Sequence, residues 1–237
     1  MRNAFPFSRL PLNRLPGSLR LWLMLAVACG LAYSFFEIVD DVFFDPLEGD
    51  VESHEFDAAV SRFLTQFRSE GLTQAAIDLT ALGSVSVLTV FAILAYAAAI
   101  GSRDFVGLAH LSIALLGAGL WPQLLKPLYG RERPDLLERL VPAADLSFPS
   151  GHAFGAAACY ATFAYLCARY TQSHAAEIFA YVFAALLITV IGLTRIYLGV
   201  HYATDVLAGF AAGGAWAFLL AALFTAGQSR HAPPQRP

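Results

Sequence analysis

The stretch FPSGHAFGAAACYATFAYLCARY, residues 148–170, joins a short polar segment to a long apolar one. The apolar part, Ala153 to Ala168, is near the ~20 residues that a helix needs to cross a bilayer. The polar part, Pro149 to His152, falls at the start of that helix, where free backbone N–H groups and the positive end of the helix dipole attract anions. The stretch therefore predicts a membrane helix whose first turn can hold an anion.

The composition of the whole chain agrees with a membrane protein. The 237 residues are 57% hydrophobic and only 14% charged, and the mean hydropathy is +0.58. Such values are typical of integral membrane proteins rather than soluble domains. The net charge of -3 is too small to indicate a polyanionic partner, so we expect no nucleic acid to bind.

Outward from residues 148–170, the chain carries five further apolar segments of similar length. They are Leu21–Phe36, Val85–Ile100, Phe105–Leu125, Ile178–Leu193 and Ala203–Ala226. We predict an all-α, polytopic membrane protein, a bundle of six transmembrane helices with both termini on one side. In the last segment, Gly209 and Gly213 form a GxxxG pattern that favours close helix packing.

The arginines outside these segments indicate the orientation. Most flank the predicted ends on the side of the two termini: Arg2, Arg9, Arg14, Arg20, Arg103, Arg169, Arg230 and Arg236. By the positive-inside rule that side is the cytoplasm. The loops 126–150 and 194–202 then meet at the outer surface.

Between the first two spans, residues 51–82 have the pattern of helices that lie along a membrane. Phe56, Val60, Phe63, Leu64 and Phe67 have the spacing of one helical face, and Ser69–Gly71 interrupts the pattern. We expect two short interfacial helices. A lipid entrance and a packing cover over the bundle are equally consistent with this spacing.

These patterns divide the chain into four parts. Residues 1–20 form a cytoplasmic segment, 21–82 the first span with the interfacial helices, 83–226 the core, and 227–237 a cytoplasmic tail.

The first of three polar clusters contains Lys126 and Arg133-Pro134. Pro127, Gly130 and Pro134 prevent a regular helix between the two cations, so the chain can fold back and direct both at one anion. A guanidinium offers two donors to phosphate and an ammonium a compact charge. Two interfacial cations that extend toward water are equally consistent with this cluster alone.

The second cluster is Ser150, Gly151 and His152. Ser150 has the position of a helix N-cap and of a phosphate donor, and Gly151 allows close approach of the backbone. His152 lies where an imidazole could protonate a leaving oxygen, although a single histidine at a helix start is usually structural.

The third cluster is Thr194-Arg195 with His201 and Asp205. His201 and Asp205 are four residues apart at a helix start and so share one face, which lets the carboxylate orient the ring. Arg195 adds a third cation and Thr194 a hydroxyl. A metal site built from His152, His201 and Asp205 is disfavoured, because the surrounding cations would oppose metal binding. We expect no metal and no other cofactor.

Together these motifs, Lys126-x6-Arg133-Pro134, Pro149-Ser-Gly-His152 and Thr194-Arg195-x5-His201-x3-Asp205, resemble the three signatures of the type 2 phosphatidic acid phosphatase (PAP2) superfamily. Thr194 stands where serine is common. The resemblance implies a metal-independent membrane lipid phosphatase. With the compact size and short loops of this chain, it also implies a bacterial inner membrane protein whose site faces the periplasm. In it, His201 would form a phosphohistidine, Asp205 would orient His201, and His152 would protonate the leaving oxygen. The phosphate-binding residues would be Lys126, Arg133, Ser150, Gly151, Thr194 and Arg195.

The expected substrate is a lipid phosphomonoester or pyrophosphate held in the bilayer, such as undecaprenyl pyrophosphate, phosphatidylglycerophosphate or phosphatidic acid. Three alternatives stay open: a lipid phosphotransferase, a lipid A phosphatase, and a non-catalytic binder or transporter of lipid phosphates. The sequence does not distinguish monophosphate from diphosphate, and it leaves the oligomeric state open.

Overall fold

The computed structural model describes residues 16–44, 49–135 and 138–230. Within these ranges every regular element is an α-helix, which confirms the all-α prediction. The helices are α1 (Gly17–Phe43), α2 (Gly49–Thr65), α3 (Glu70–Ala81), α4 (Val85–Gly101), α5 (Phe105–Tyr129), α6 (Gly151–Tyr170), α7 (His174–Tyr197) and α8 (Ala203–Arg230).

Four or five helical segments of the described chain are long and apolar enough to span a bilayer, compared with the six spans that the sequence predicts. Four helices are long and apolar enough to cross a bilayer: α1, α5, α7 and the part of α8 over Ala203–Ala226. The pair α3 and α4, bent by 45°, passes the same test together and raises the number to five. Helix α6 is 20 residues long but mixes Gly, Thr and Tyr among its apolar residues. Six spans therefore stays a prediction.

Helix α6 is the central helix of the bundle. It packs against α4, α5, α7 and α8, and most of its side chains are buried. The GxxxG glycines make this packing close, as the sequence predicted: a Cβ on Gly209 would lie 2.8 Å from both the Ser150 carbonyl oxygen and the Ala153 Cβ. Gly213 lies directly against the Phe154 carbonyl. The starts of α6 and α8 are thereby brought together.

Helices α2 and α3 are the two short helices predicted between the first spans. The break between them falls at residues 66–69, slightly earlier than the predicted Ser69–Gly71, and Ser69 is the N-cap of α3. The apolar residues of α2 divide between two environments. Phe56 and Phe63 are exposed, as is Phe67 just after the helix, whereas Val60 and Leu64 pack against a buried cluster from α6, α7 and α8. Helix α2 therefore both covers the bundle and presents aromatic rings outward.

The order of the helices places all three polar clusters at one end of the bundle. Helix α5 ends, α6 begins, α7 ends and α8 begins there, while α1 begins and α8 ends at the opposite end. The cytoplasmic segment predicted for residues 1–20 lies largely outside the described residues, as do 231–237 of the predicted tail.

Candidate active site

Lys126 and Arg133 converge as the sequence predicted, although one lies in a helix and the other in a loop. Lys126 lies in the last turn of α5, which ends at Gly130 with φ +65°, a left-handed conformation that glycine adopts without strain. Arg133 follows in the loop and donates to the carbonyl oxygens of Val200, at 2.6 Å, and Asp145, at 2.7 Å. Both cations are buried, and both form ion pairs with the Asp145 carboxylate.

Asp145 is a member of the site that the sequence analysis missed. Its side chain is 57% exposed and borders a cavity of about 520 Å³ that Lys126 and Arg133 also line. Partial burial acts to raise the pKa of Asp145, but hydrogen bonds and charge from Lys126 and Arg133 outweigh it and hold the pKa at about 2. The carboxylate thus occupies the position beside two cations where the sequence predicts a bound phosphate.

His201 and Asp205 form the pair predicted from their spacing. The His201 Nδ1 lies 3.3 Å from Asp205 Oδ2, and the Tyr202 backbone N–H donates to the same oxygen at 3.0 Å. An ionised carboxylate only accepts, so the ring hydrogen belongs on Nδ1. The other nitrogen, Nε2, is then an acceptor, and it takes a hydrogen bond from Arg133 Nη1 at 3.1 Å.

The surroundings of His201 keep its ring neutral. Its side chain is 2% exposed, and burial is the largest cause that lowers the pKa of His201, to about 4. Asp205 acts in the opposite direction, while Arg133 and Arg195 add to the lowering. A neutral ring is the form in which Nε2 can attack an electrophile.

The start of α6 presents Ser150 and His152 to the same region. Ser150 is the N-cap of α6, accepting from the Ala153 N–H at 3.4 Å, and its own N–H donates to the Asp205 carbonyl oxygen at 3.0 Å. The hydroxyl hydrogen of Ser150 is left available to a ligand. The His152 ring has no hydrogen-bond partner within residues 16–44, 49–135 and 138–230. It interacts electrostatically with Arg195, His201, Arg133 and Lys126.

Arg195 and Thr194 differ in how they meet the prediction. Arg195 is buried, donates to the Thr80 hydroxyl at 3.1 Å, and keeps an Nε–H with no partner among the described residues. A buried donor without a partner fits an absent anion. The Thr194 hydroxyl instead donates to the Ile191 carbonyl of its own helix at 2.6 Å. In this rotamer Thr194 has no hydrogen left for phosphate, so its predicted role is not supported by the geometry.

A second group of residues missed from the sequence lies behind Asp205. Arg131 donates to Asp205 Oδ1 at 2.7 Å and to Asp57 Oδ2 at 2.8 Å. Asp57 is on α2, 74 residues from Arg131. A signal was present: Asp57 shares a helical face with Val60 and Leu64, and a carboxylate on the buried face of a helix requires a partner.

The fold and this arrangement define a class of protein. Three cations, a capped helix start and a neutral histidine held by a carboxylate meet at one end of a membrane helix bundle. Such a set can neutralise a phosphoryl group and attack it, which makes the chain a membrane phosphatase.

The particular family follows from comparison with known proteins. Residues 107–228 match the model of the PAP2 superfamily, and the chain belongs to that family. A phosphatidylglycerophosphatase B of Bacillus subtilis (strain 168) is 32% identical over 162 residues, which cover 66% of this chain and 77% of that protein. A lipid A 1-phosphatase of Rhizobium etli is 38% identical over 124 residues. That match spans 48% of this chain and about half (49%) of the relative.

Solved structures agree with this membership. The crystal structure of a transmembrane PAP2 type phosphatidylglycerolphosphate phosphatase from Bacillus subtilis matches with a TM-score of 0.74 and 27% identity. The match covers 88% of this chain and 98% of that one. LpxE from Aquifex aeolicus matches with a TM-score of 0.55 and 23% identity, over 69% of this chain and 93% of that one, which shows a shared fold.

Proposed function

We propose that this protein hydrolyses the phosphate of a membrane lipid through a phosphohistidine on His201. The observation that carries the proposal is the position of the ring: Asp205 holds Nδ1, and Nε2 lies 3.1 Å from Arg133, beside the cation pair. An anion bound by Lys126 and Arg133 would lie next to the one ring atom that can attack it.

In the first step, His201 Nε2 attacks phosphorus, and the bond from phosphorus to the lipid oxygen breaks. Asp205 stabilises the positive charge that develops on the ring. The cations and the Ser150 hydroxyl stabilise the equatorial oxygens, and such preorganised charge supplies most of the rate in phosphoryl transfer. His152, which takes up a proton beside the negative charge of the bound phosphate, donates that proton to the leaving oxygen. Its ring has no competing hydrogen-bond partner within the described chain.

In the second step, water attacks the phosphohistidine. His152, now neutral, accepts the proton of this water, phosphate is released, and His201 returns to its starting form. No step uses a metal.

The proposed substrate is a lipid phosphomonoester, with phosphatidylglycerophosphate as the first to test. The 32% identical relative carries that specificity in its name and is covered over 77% of its length. The 1-phosphate of lipid A is the second candidate, because another relative is a lipid A 1-phosphatase. Undecaprenyl pyrophosphate and phosphatidic acid complete the panel.

We further propose that the protein lies in a bacterial inner membrane with the site facing the periplasm. The support is the row of arginines at the opposite helix ends, including Arg103 and Arg169, which the positive-inside rule assigns to the cytoplasm. The exposed rings of Phe56 and Phe63 on α2, and of Phe67 just after it, are then available to acyl chains.

Phosphate release by the detergent-purified protein, with chelator and across this lipid panel, tests the proposal. We expect release from wild type, none from His201→Ala, and wild-type rates from His174→Ala, a matched control at the other end of the bundle. Phosphate release by His201→Ala would refute the histidine mechanism. Product that forms only with a lipid acceptor would indicate phosphotransfer, and binding without turnover would indicate a lipid-phosphate binder.

A further inference from the structure

A buried network of charges connects the interfacial helix α2 to the nucleophile. The Arg131 guanidinium bridges two carboxylates, Asp205 at 2.7 Å and Asp57 at 2.8 Å. The side chains of Asp57 and Asp205 are 1% and 0% exposed, and that of Arg131 is 8% exposed. Buried ion pairs are tolerated when additional hydrogen bonds satisfy the remaining oxygens.

Those additional bonds are present. The Thr204 N–H donates to Asp57 Oδ1 at 2.8 Å, and the Thr204 hydroxyl donates to Asp57 Oδ2 at 2.7 Å. Asp57 therefore supplies α2's carboxylate to the first turn of α8, where a negative charge is favoured by the helix dipole. Asp205 is the next residue of that turn, so Asp57 fixes the segment that carries the catalytic carboxylate.

We propose that Arg131 and Asp57 are positioning residues that hold Asp205 in the orientation His201 needs, so that helix α2 is part of the catalytic machinery. The inference rests on the proposed function, because its readout is turnover.

The two carboxylate oxygens of Asp205 have different partners, and this supports the positioning role. Oδ1 accepts from Arg131, while Oδ2 accepts from the Tyr202 N–H and faces His201 Nδ1. With each oxygen engaged, the carboxylate cannot rotate without losing a charge-assisted hydrogen bond. Without Arg131, Oδ1 would lose its partner and the carboxylate could rotate. The His201 ring, which Oδ2 orients, would then lose its fixed orientation.

The network also sets the charge beside the nucleophile. Arg131, Asp57 and Asp205 together carry one positive and two negative charges, a net of -1 that favours a protonated His201 ring. The other charged or titratable groups around His201 come from α5, α6, α7 and the loop after α5. They are Lys126, His152, Arg195, Arg133 and Asp145.

Two substitutions should therefore shift the pH profile in opposite directions. Arg131→Gln makes the net charge -2, which raises the pKa of His201 and moves the acid limb of kcat/KM to higher pH. Asp57→Asn makes the net charge 0, which lowers the pKa and moves the limb to lower pH. Each shift should be about one pH unit or less, since a charge within 4–6 Å moves a pKa by ~1–3 units and this network lies one layer further away. Ionisation of the substrate is common to all variants and cancels.

The experiment measures kcat, KM and the acid limb for wild type, Arg131→Gln, Arg131→Lys and Asp57→Asn. Arg62→Gln and Asp78→Asn are the matched controls, because Arg62 and Asp78 are exposed residues of α2 and α3. We expect kcat to fall about 10- to 100-fold in the network variants, by analogy with the loss of outer-shell partners that orient metal-ligating histidines. KM should change less than threefold. Arg131→Lys should recover the pH limb but not kcat, since an ammonium cannot bridge two carboxylates as a planar fork does.

Three results would overturn the inference: kcat equal to that of the controls, acid limbs that move in the same direction, or a loss confined to KM. If Arg131→Gln does not fold, judged by thermal unfolding in detergent, the isosteric Asp57→Asn and Arg131→Lys variants decide. The wild type and His201→Ala report separately on the proposed function, because active wild type with unaffected network variants refutes only the positioning role.

Discussion

Replacement of Asp145 by asparagine tests how the phosphate pocket is kept ready for substrate. The Asp145 carboxylate pairs with Lys126 and Arg133, the two cations predicted to bind phosphate. A substrate phosphate has to displace this carboxylate before it can use them. Asparagine keeps the size and removes the charge, so we expect Asp145→Asn to bind phosphate more tightly.

The size of the effect follows from the exposure of the side chain. Because Asp145 is 57% exposed, each ion pair is counted at the value of a surface pair, ~0.2–1 kcal/mol. The two pairs together amount to about 0.5–2 kcal/mol. That range corresponds to a ~2- to 30-fold gain in affinity.

The assay is product inhibition by inorganic phosphate in detergent micelles, with the Ki compared between wild type, Asp145→Asn and the exposed control Asp78→Asn. We expect a lower Ki and a lower KM for Asp145→Asn, and no change for the control. A Ki that is unchanged or higher would refute the reasoning. It would mean that Asp145 holds the cations in place for substrate rather than competing with substrate.

Two further predictions concern the packing and capping of α6. Gly209→Ala should lower both thermal stability and activity, because its Cβ would lie 2.8 Å from the Ala153 Cβ and from the carbonyl oxygen of the N-cap Ser150, and overpacking costs about 1–3 kcal/mol. The control Gly30→Ala on α1 meets nothing within 4 Å and should be neutral or stabilising. Equal melting temperatures for the two variants would contradict this prediction. Ser150→Ala should reduce kcat far more than Thr194→Val, because the Thr194 hydroxyl is engaged with Ile191; a larger loss for Thr194→Val would place its hydroxyl on phosphate.

The helices could be predicted because their signals are local, and the convergence of the clusters could be predicted because it follows from the order of the apolar segments. The segment predicted over Val85–Ile100 became α4, Val85–Gly101, and that over Phe105–Leu125 became α5, four residues longer. Spacings within a helix, such as His201 to Asp205, place side chains on one face whatever the rest of the fold does.

What could not be predicted depends on contacts between distant segments or on a rotamer. The Arg131–Asp57 pair joins a loop to a helix 74 residues away. The spacing within α2 indicates that Asp57 needs a partner, but it does not identify Arg131 as that partner. The Asp145 pairs require the loop between α5 and α6 to fold back over Lys126. The Thr194 hydroxyl donates to its own helix rather than to the site because of its χ1 rotamer. A threonine in a helix can adopt more than one χ1 rotamer, so the sequence does not specify this one.

The gathering of the reactive groups at one end of the bundle leaves the other end free to vary. The turns near Arg103 and Arg169 can lengthen or shorten the helices without moving Lys126, His152 or His201. A change in bilayer thickness is then accommodated by adding or removing residues where no reactive group of the described chain resides. The end of the bundle that holds the candidate site can therefore stay the same in bilayers of different thickness.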